Sequence, residues 1–214
     1  MKKPRRRSVK AVKRPPRSKK KTPKKNLVGT YRDHKQKWND CKRCELCTQR
    51  RQVVFARGTL PADILFVGEA PGASEDSLGK PFCGPAGHLL DFIITGSLTG
   101  QGYNPPTFAI SNLVCCFPRD AKKSPNHQPP KAAVTACKER LNELYLLCNP
   151  KAVVAVGNLA KKWVPLSLDL EGVECVDIIH PASILRMDIS QKELAVQRSI
   201  VVLRDLGSGL ALPF

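Results

Sequence analysis

Four short apolar runs, each closing on a polar or glycine-bearing loop and separated by helix-period segments, constrain this chain more than any other feature. Residues 63–67 (DILFV), 107–114 (TFAISNLV), 152–156 (AVVAV) and 173–179 read as buried strands. Residues 87–98 (GHLLDFIITGSL) are helical in character. Residues 131–148 carry Val134, Cys137, Leu141, Leu144 and Cys148 at three- and four-residue steps, the stripe of an amphipathic helix. A short helix near 159–163 and a terminal helix over 191–206 complete the alternation, while residues 52–56 are strand-like and the polar segment 31–47 is a helix candidate. Strands alternating with helices predict a three-layer α/β/α domain around a central, mostly parallel four-stranded sheet. In such sheets the ligand lies beyond the carboxyl ends of the strands. Three polar features fall at such ends: the loop Gly68-Glu69-Ala70-Pro71-Gly72, Asn112 and His180. Far apart in the chain, they can meet on one rim.

The charge divides the chain in two. Of its 36 Lys and Arg, 14 fall in the first 26 residues beside no acid, which leaves 22 basic groups against 18 acidic ones in the rest. The formal net charge of +18 is therefore that of a nearly neutral body with a cationic arm. Low hydrophobicity, like-charge repulsion and four prolines predict a disordered basic tail over residues 1–30, followed by one α/β domain over 31–214. The tail has no aromatic residue to stack on bases but can neutralise phosphates without sequence preference. A localisation signal and an idle solvated arm are the other readings. No run approaches the roughly 20 apolar residues of a membrane span, and no apolar core follows the charged N-terminus as in a secretory signal. Nine cysteines, an odd number, then argue against a disulfide framework and for reduced thiols or metal ligands.

Individually the motifs are weak. A Gly/Pro loop after a strand is commonly a turn, and a histidine at a strand end is commonly structural. Taken in order, however, GEAPG at 68–72, Glu75-Asp76, Gly79-Lys80-Pro81-Phe82, Gly84-Pro85-Ala86-Gly87, Ile110-Ser111-Asn112 and the segment HPASILR at 180–186 form a specific set. That ordered set closely resembles the family 4 uracil-DNA glycosylases, the iron–sulfur members of the uracil-DNA glycosylase superfamily, from about Cys41 to Arg186.

The resemblance implies hydrolysis of the N-glycosidic bond of uracil in DNA, single- or double-stranded, after the base has been flipped out of the stack. Glu69 would hold the attacking water and offset the positive sugar, with Glu75 and Asp76 as alternatives for that carboxylate. His180 would donate a hydrogen bond to the charge developing on uracil O2. Phe82 would stack on the base, Ala70 would line the uracil site, and Asn112 would read the Watson–Crick edge, since an amide offers both a donor and an acceptor. Arg186 and Ser183 would face the DNA, and the turn at Gly84 would seat a phosphate. Ile184 and Leu185 are candidate wedges into the stack. A core role for Phe82 and a strand-end cap for Asn112 are the plainer readings.

By the same resemblance a 4Fe–4S cluster would sit on Cys41, Cys44, Cys116 and Cys137. Zinc on these thiolates, or free cysteines, are the alternatives. Cys137 and Cys148, eleven residues apart on one helix, are separated by about 16 Å and cannot share a compact cluster. The adjacent Cys115 and Cys116 point to opposite faces if extended. Cys47 extends a C-x2-C-x2-C run that finds no fourth cysteine, and Cys83, Cys148 and Cys175 read as ordinary buried thiols. The chain departs from the family at Cys83, often a Val, and at Phe117-Pro118-Arg119-Asp120, usually richer in Arg and Pro. It has a somewhat long intercysteine loop and no clear Arg-Gly element before the last strand. The stretch Asp76–Lys80 leaves no room for the basic insert with which some relatives trap DNA covalently.

The expected protein is thus a monomeric enzyme with no membrane association, located in the cytoplasm or nucleoid, or in the nucleus of a eukaryotic host. Two competing readings remain: a non-catalytic metal-cluster DNA-binding protein of the same fold, and a glycosylase for another modified base. Retention of Glu69, Phe82, Asn112 and His180 as a set opposes the first.

Overall fold

A computed structural model describes residues 29–98, 105–119 and 128–210. The expected disordered tail concerns residues outside this set. Five strands form one sheet: β1 (Arg57–Gly58), β2 (Ile64–Gly68), β3 (Phe108–Asn112), β4 (Ala152–Val156) and β5 (Glu174–Ile178). Their order is β1-β3-β2-β4-β5, parallel throughout except for β1, which pairs antiparallel with β3. The sheet therefore has one strand more than expected. The extra strand is not residues 52–56, which lie outside any strand. Val53, Val54 and Phe55 are buried there, and Val54 N–H donates to Cys115 O at 2.8 Å, so the apolar run serves packing without joining the ladder. The two-residue β1 follows immediately.

Alternation along each central strand sorts the side chains into two layers. Ile64 and Phe66 of β2, with Val154 and Val156 of β4, face α3 (Pro85–Leu98), α6 (Pro181–Ile184) and α7 (Ile189–Leu210). Leu65 and Val67, with Val153 and Ala155, face α4 (Lys131–Cys148) and α5 (Asn158–Ser167). Both faces are covered, which is why β2 and β4 read as unbroken apolar runs rather than alternating ones. β5, at the sheet edge, is mostly exposed, and Cys175 on it is an exposed thiol rather than a buried one; Cys83 is only half-buried.

The helix expected within residues 31–47 stops early. Thr30 and Asp33 close a capping box at the start of α1 (Tyr31–Trp38), and only a 3-10 turn at Glu45–Thr48 follows. On α1, Trp38 donates from Nε1 to Glu143 Oε2 at 2.6 Å, while Lys37 pairs with the same carboxylate, fastening α1 to α4. A short helix that sequence periodicity missed, α2 (Ala73–Leu78), runs from Gly72 to the left-handed Gly79. Among the described residues no helix is long and apolar enough to cross a membrane.

β2 lies between β3 and β4, so the chain leaves it to one side and returns on the other. The reversal places the residues after β2, β3, β4 and β5 around one crevice at their carboxyl ends.

The two faces of α3 provide a stability test. Leu90 is fully buried, whereas Phe92 is 62% exposed. Leu90→Ala is expected to cost about 2–5 kcal/mol and Phe92→Ala at most about 0.5 kcal/mol, as read from urea unfolding midpoints at constant slope.

Candidate active site at the carboxyl ends of the strands

The crevice is a cleft of about 690 Å³, lined among others by Glu69, Ala70, Phe82, Asn112 and His180. Gly84, Ser183 and Arg186 also line it, as do Glu75 and Leu185, whereas Asp76 and Ile184 do not.

Close packing at the strand ends creates its floor. In-register pairing sets Gly68 beside Asn112. A Cβ on residue 68 would stand 2.4 Å from both Phe82 Cζ and Asn112 Oδ1, so only glycine lets the ring and the amide close over the end of β2. Asn112 is 1% exposed, and its Oδ1 is buried without a hydrogen-bond partner among the described residues. Buried amide oxygens are normally satisfied. One left open at a cavity wall is an acceptor awaiting a donor. On the other side, Gly157 takes φ +91°, and a Cβ there would come within 2.8 Å of His180 Cβ.

Phe82 itself has φ +52°, an unfavourable backbone for a bulky residue. Two side chains hold it there. Arg57 of β1 donates from Nε to Pro81 O at 3.0 Å and from Nη2 to Phe82 O at 3.4 Å, and its guanidinium is paired with Asp91. Glu75 accepts the backbone N–H groups of Cys83 and Gly84 on Oε1 and of Gly72 on Oε2, each at 3.0 Å. Glu75 thus ties the loop after β2 to the loop carrying Phe82. The Phe82 and His180 rings end 5.8 Å apart between centroids, inclined by 30°.

These bonds separate the three candidate carboxylates. Glu75 is occupied by backbone donors. Asp76 is fully buried outside the cleft, accepting Arg51 N–H at 2.9 Å, with Arg119 at ion-pair distance. Glu69 alone lines the cleft with a carboxylate that accepts no hydrogen bond among the described residues, and burial raises its pKa above the ordinary value. Gly84 is likewise committed, because its N–H already goes to Glu75. Arg186 is exposed and donates to Ser183 Oγ at 3.4 Å. Of the two candidate wedges, Ile184 is fully buried in the core under α6 and cannot leave it, while Leu185 is 40% exposed at the cleft.

His180 caps α6. Its Nδ1 accepts Ala182 N–H at 3.1 Å, which leaves Nε2 to carry the proton. Burial, reinforced by the nearby Arg186, lowers its pKa to about 4. At neutral pH the imidazole is therefore a neutral donor.

The four expected metal-ligand cysteines do not line the cleft. Cys41 and Cys44 precede the 3-10 turn, Cys116 follows β3, and Cys137 lies on α4. Burial raises the pKa of Cys44, and the adjacent Cys137, Cys41 and Cys47 thiols raise it further. Burial lifts Cys116 to about 11 against the opposing effect of Arg50, whose Nη1 donates to its Sγ at 3.2 Å. Cys115 packs instead with Trp38, Val53 and Phe55, in a different apolar cluster from Cys116, the two lying in a bend rather than an extended strand. Among the described residues no group of three or more His, Cys, Asp or Glu is placed to hold a metal ion.

Two structural residues escaped the sequence reading. Arg57 had no signal, since a two-residue strand carries no periodicity. Arg140 sits in the run Lys138-Glu139-Arg140 of an amphipathic helix, where it reads as part of the solvated face, yet it is 2% exposed.

Residues 55–202 match the family model of the uracil DNA glycosylase superfamily. A type-4 uracil-DNA glycosylase of Pyrobaculum aerophilum is 31% identical over 180 residues, covering 73% of this chain and 87% of the relative. One from Thermotoga maritima is 37% identical over 160 residues, 68% of this chain and 78% of the relative. One from Sulfurisphaera tokodaii is 36% identical over 124 residues, and that match spans about half of the relative's length, 53%. Cys41 and Cys44 precede the stretch matched by the family model.

The environment of His180 is directly measurable. Its NMR titration is expected to have a midpoint near 4 with the Nε2–H tautomer below neutrality; a midpoint near 6.5 would contradict its burial. Because the folded pKa lies below the unfolded one, this histidine lowers stability progressively as pH falls from about 6.5 towards 4.

Proposed function

The chain belongs to the uracil DNA glycosylase superfamily, and from that premise we propose that it removes uracil from DNA by hydrolysing the N-glycosidic bond. The observation that carries this reading is the convergence of Glu69, Phe82, Asn112 and His180 on one cleft.

A flipped uracil enters the cleft and stacks on Phe82. Its N3–H meets the open Asn112 Oδ1, and the amide nitrogen of the same side chain is the donor for O4. Cytosine presents an acceptor at N3 and a donor at N4, so it opposes both groups. A pair left unmade in such a place costs about 1–3 kcal/mol.

Bond cleavage moves negative charge onto the base and positive charge onto the sugar. The neutral His180 donates from Nε2 to uracil O2, where charge appears only as the bond breaks. No proton needs to leave the protein for this. Glu69 holds the attacking water and, when ionised, offsets the sugar. Its raised pKa places the loss of that charge at a higher pH than for an ordinary carboxylate, so Glu69 rather than His180 sets the acid limb of turnover. Arg186 and Leu185 at the rim meet the DNA strand, and the cations of residues 1–26 add non-specific phosphate affinity.

Cys41, Cys44, Cys116 and Cys137 would hold a 4Fe–4S cluster. The donor set suits it: four thiols, of which Cys44 feels those of Cys41 and Cys137 and Cys116 those of Cys137 and Cys44, with Arg43 and Arg50 beside them to offset thiolate charge. When bound, the cluster ties the segment before β1 to α4 and to the turn after β3. Hydrolysis itself requires no electron transfer. The substrate places the protein with DNA, in the cytoplasm or nucleoid, or in the nucleus of a eukaryotic host.

The reaction is tested with an oligonucleotide containing one uracil, treated with alkali after incubation. Strand breaks are expected at the uracil alone, and Glu69→Gln should lower kcat by about 100-fold or more. Absence of breaks with uracil opposite every base and in single strands would end the proposal. Separately, the purified protein should be brown with broad visible absorption, and Cys137→Ala should bleach it. A colourless preparation containing stoichiometric zinc would replace the cluster with the alternative metal.

A further inference from the structure

Arg140 is a cation with its side chain in the core, and its hydrogen bonds all go to one place. Nη1 donates to Ser111 Oγ at 3.1 Å, and Nη2 donates to Asn112 O at 2.6 Å and Leu113 O at 3.1 Å. Its Nε has no partner, and among the described residues no carboxylate lies at ion-pair distance from it. Burying a guanidinium is costly unless its hydrogen bonds are well made. A leucine or methionine would fill α4 at this point without that penalty. The side chain is therefore poorly explained by packing alone.

Its targets are the last two residues of β3 and the residue after them. Ser111 Oγ passes the contact on, donating to Phe55 O at 3.0 Å. The peptide groups that follow are fixed from the opposite side: Leu113 N–H donates to Gly68 O at 2.9 Å, and Val114 N–H donates to Glu69 O at 3.3 Å. The planar fork of Arg140 thus sets the two carbonyls just past Asn112 while the loop bearing Glu69 takes the adjacent N–H groups. The peptide plane on which the Asn112 side chain stands has no remaining freedom.

We propose that Arg140 is a positioning residue for base discrimination: by fixing the carbonyls of Asn112 and Leu113 it aims the Asn112 amide so that uracil is accepted and cytosine refused. This rests on the reading of Asn112 as the group that meets the base. Arg140 stands one helical turn after Cys137 on α4. The same helix therefore carries Cys137 and holds the strand end that bears Asn112.

A purely structural arginine would, when replaced, lower stability and scale down binding of every base alike. A positioning arginine changes the ratio between bases. The test uses oligonucleotides carrying one 2′-fluoroarabino-uridine, which resists cleavage, or the matching cytidine, with Kd measured for both on wild type, Arg140→Lys and Ser111→Ala. Lysine keeps the charge but cannot span two carbonyls and a hydroxyl as a flat fork. For Arg140→Lys the uracil-to-cytosine preference is expected to fall about tenfold. On a cleavable uracil strand kcat/KM should fall with it, while Kd for a strand without uracil stays within about twofold because Arg140 does not itself line the cleft. Ser111→Ala, which removes one of the three acceptors, should lower the preference by about threefold.

Unchanged preference in a folded Arg140→Lys protein would overturn the proposal, as would unchanged preference in Ser111→Ala should the lysine variant fail to fold. A wild type that excises no uracil would instead overturn the functional reading on which the proposal rests.

Discussion

At Gly68 the end of β2 has no side chain, and the space that a Cβ would fill is taken by the Phe82 ring and the Asn112 amide. Everything else in the cleft is arranged to keep that approach. Parallel pairing puts residue 68 opposite 112, so the register of the sheet fixes the depth of the pocket. The strained backbone at Phe82 is what turns its ring over the glycine, and that strain persists because Arg57 and Glu75 hold the surrounding peptides. A single methyl group at residue 68 would collide with two functional side chains at once.

Burial then gives Glu69 and His180, both in the cleft, opposite characters. Both are withdrawn from water, and each is pushed towards its neutral form, which raises Glu69 and lowers His180. For the histidine that is useful as it stands, since a neutral Nε2–H donor responds to charge formed in the transition state without first needing a proton. For the glutamate it shortens the pH range of the working form. The neighbouring Glu75 shows how differently the same residue type is used six positions later, with both oxygens spent on backbone N–H groups.

The parts legible in the sequence were those repeated over many residues. The α4 stripe gave the boundaries of that helix directly, and the four apolar runs became four of the five strands. Short elements carried no such signal: β1 has two residues and α6 four. Residues 52–56 looked like a strand because the burial of Val53, Val54 and Phe55 needs the same residue types, although those side chains pack with Trp38 and Cys115. For the site, the polar groups at strand ends were legible because fold topology alone gathers them. The choice among Glu69, Glu75 and Asp76 was not, because it depends on which backbone N–H groups happen to face each carboxylate. Ile184 and Leu185, adjacent and equally apolar, differ in that one ends α6 inside the core and the other caps it at the surface, and Cys175 is exposed because β5 is an edge. Arg140 was hidden by its charge, which in a helix sequence ordinarily marks the solvated face.

The central claim is that Phe82, Asn112 and His180 form one receptor for the uracil ring. The most direct measurement is an NMR titration of isotopically labelled Glu69→Gln protein with the uncleavable uracil oligonucleotide and its cytosine counterpart. Uracil should shift the Asn112 side-chain amide, the Phe82 ring and the His180 Nε2–H together at one affinity, and cytosine should leave all three in place. Shifts of these groups that are equal for the two bases, or confined to the basic residues outside the cleft, would contradict the account.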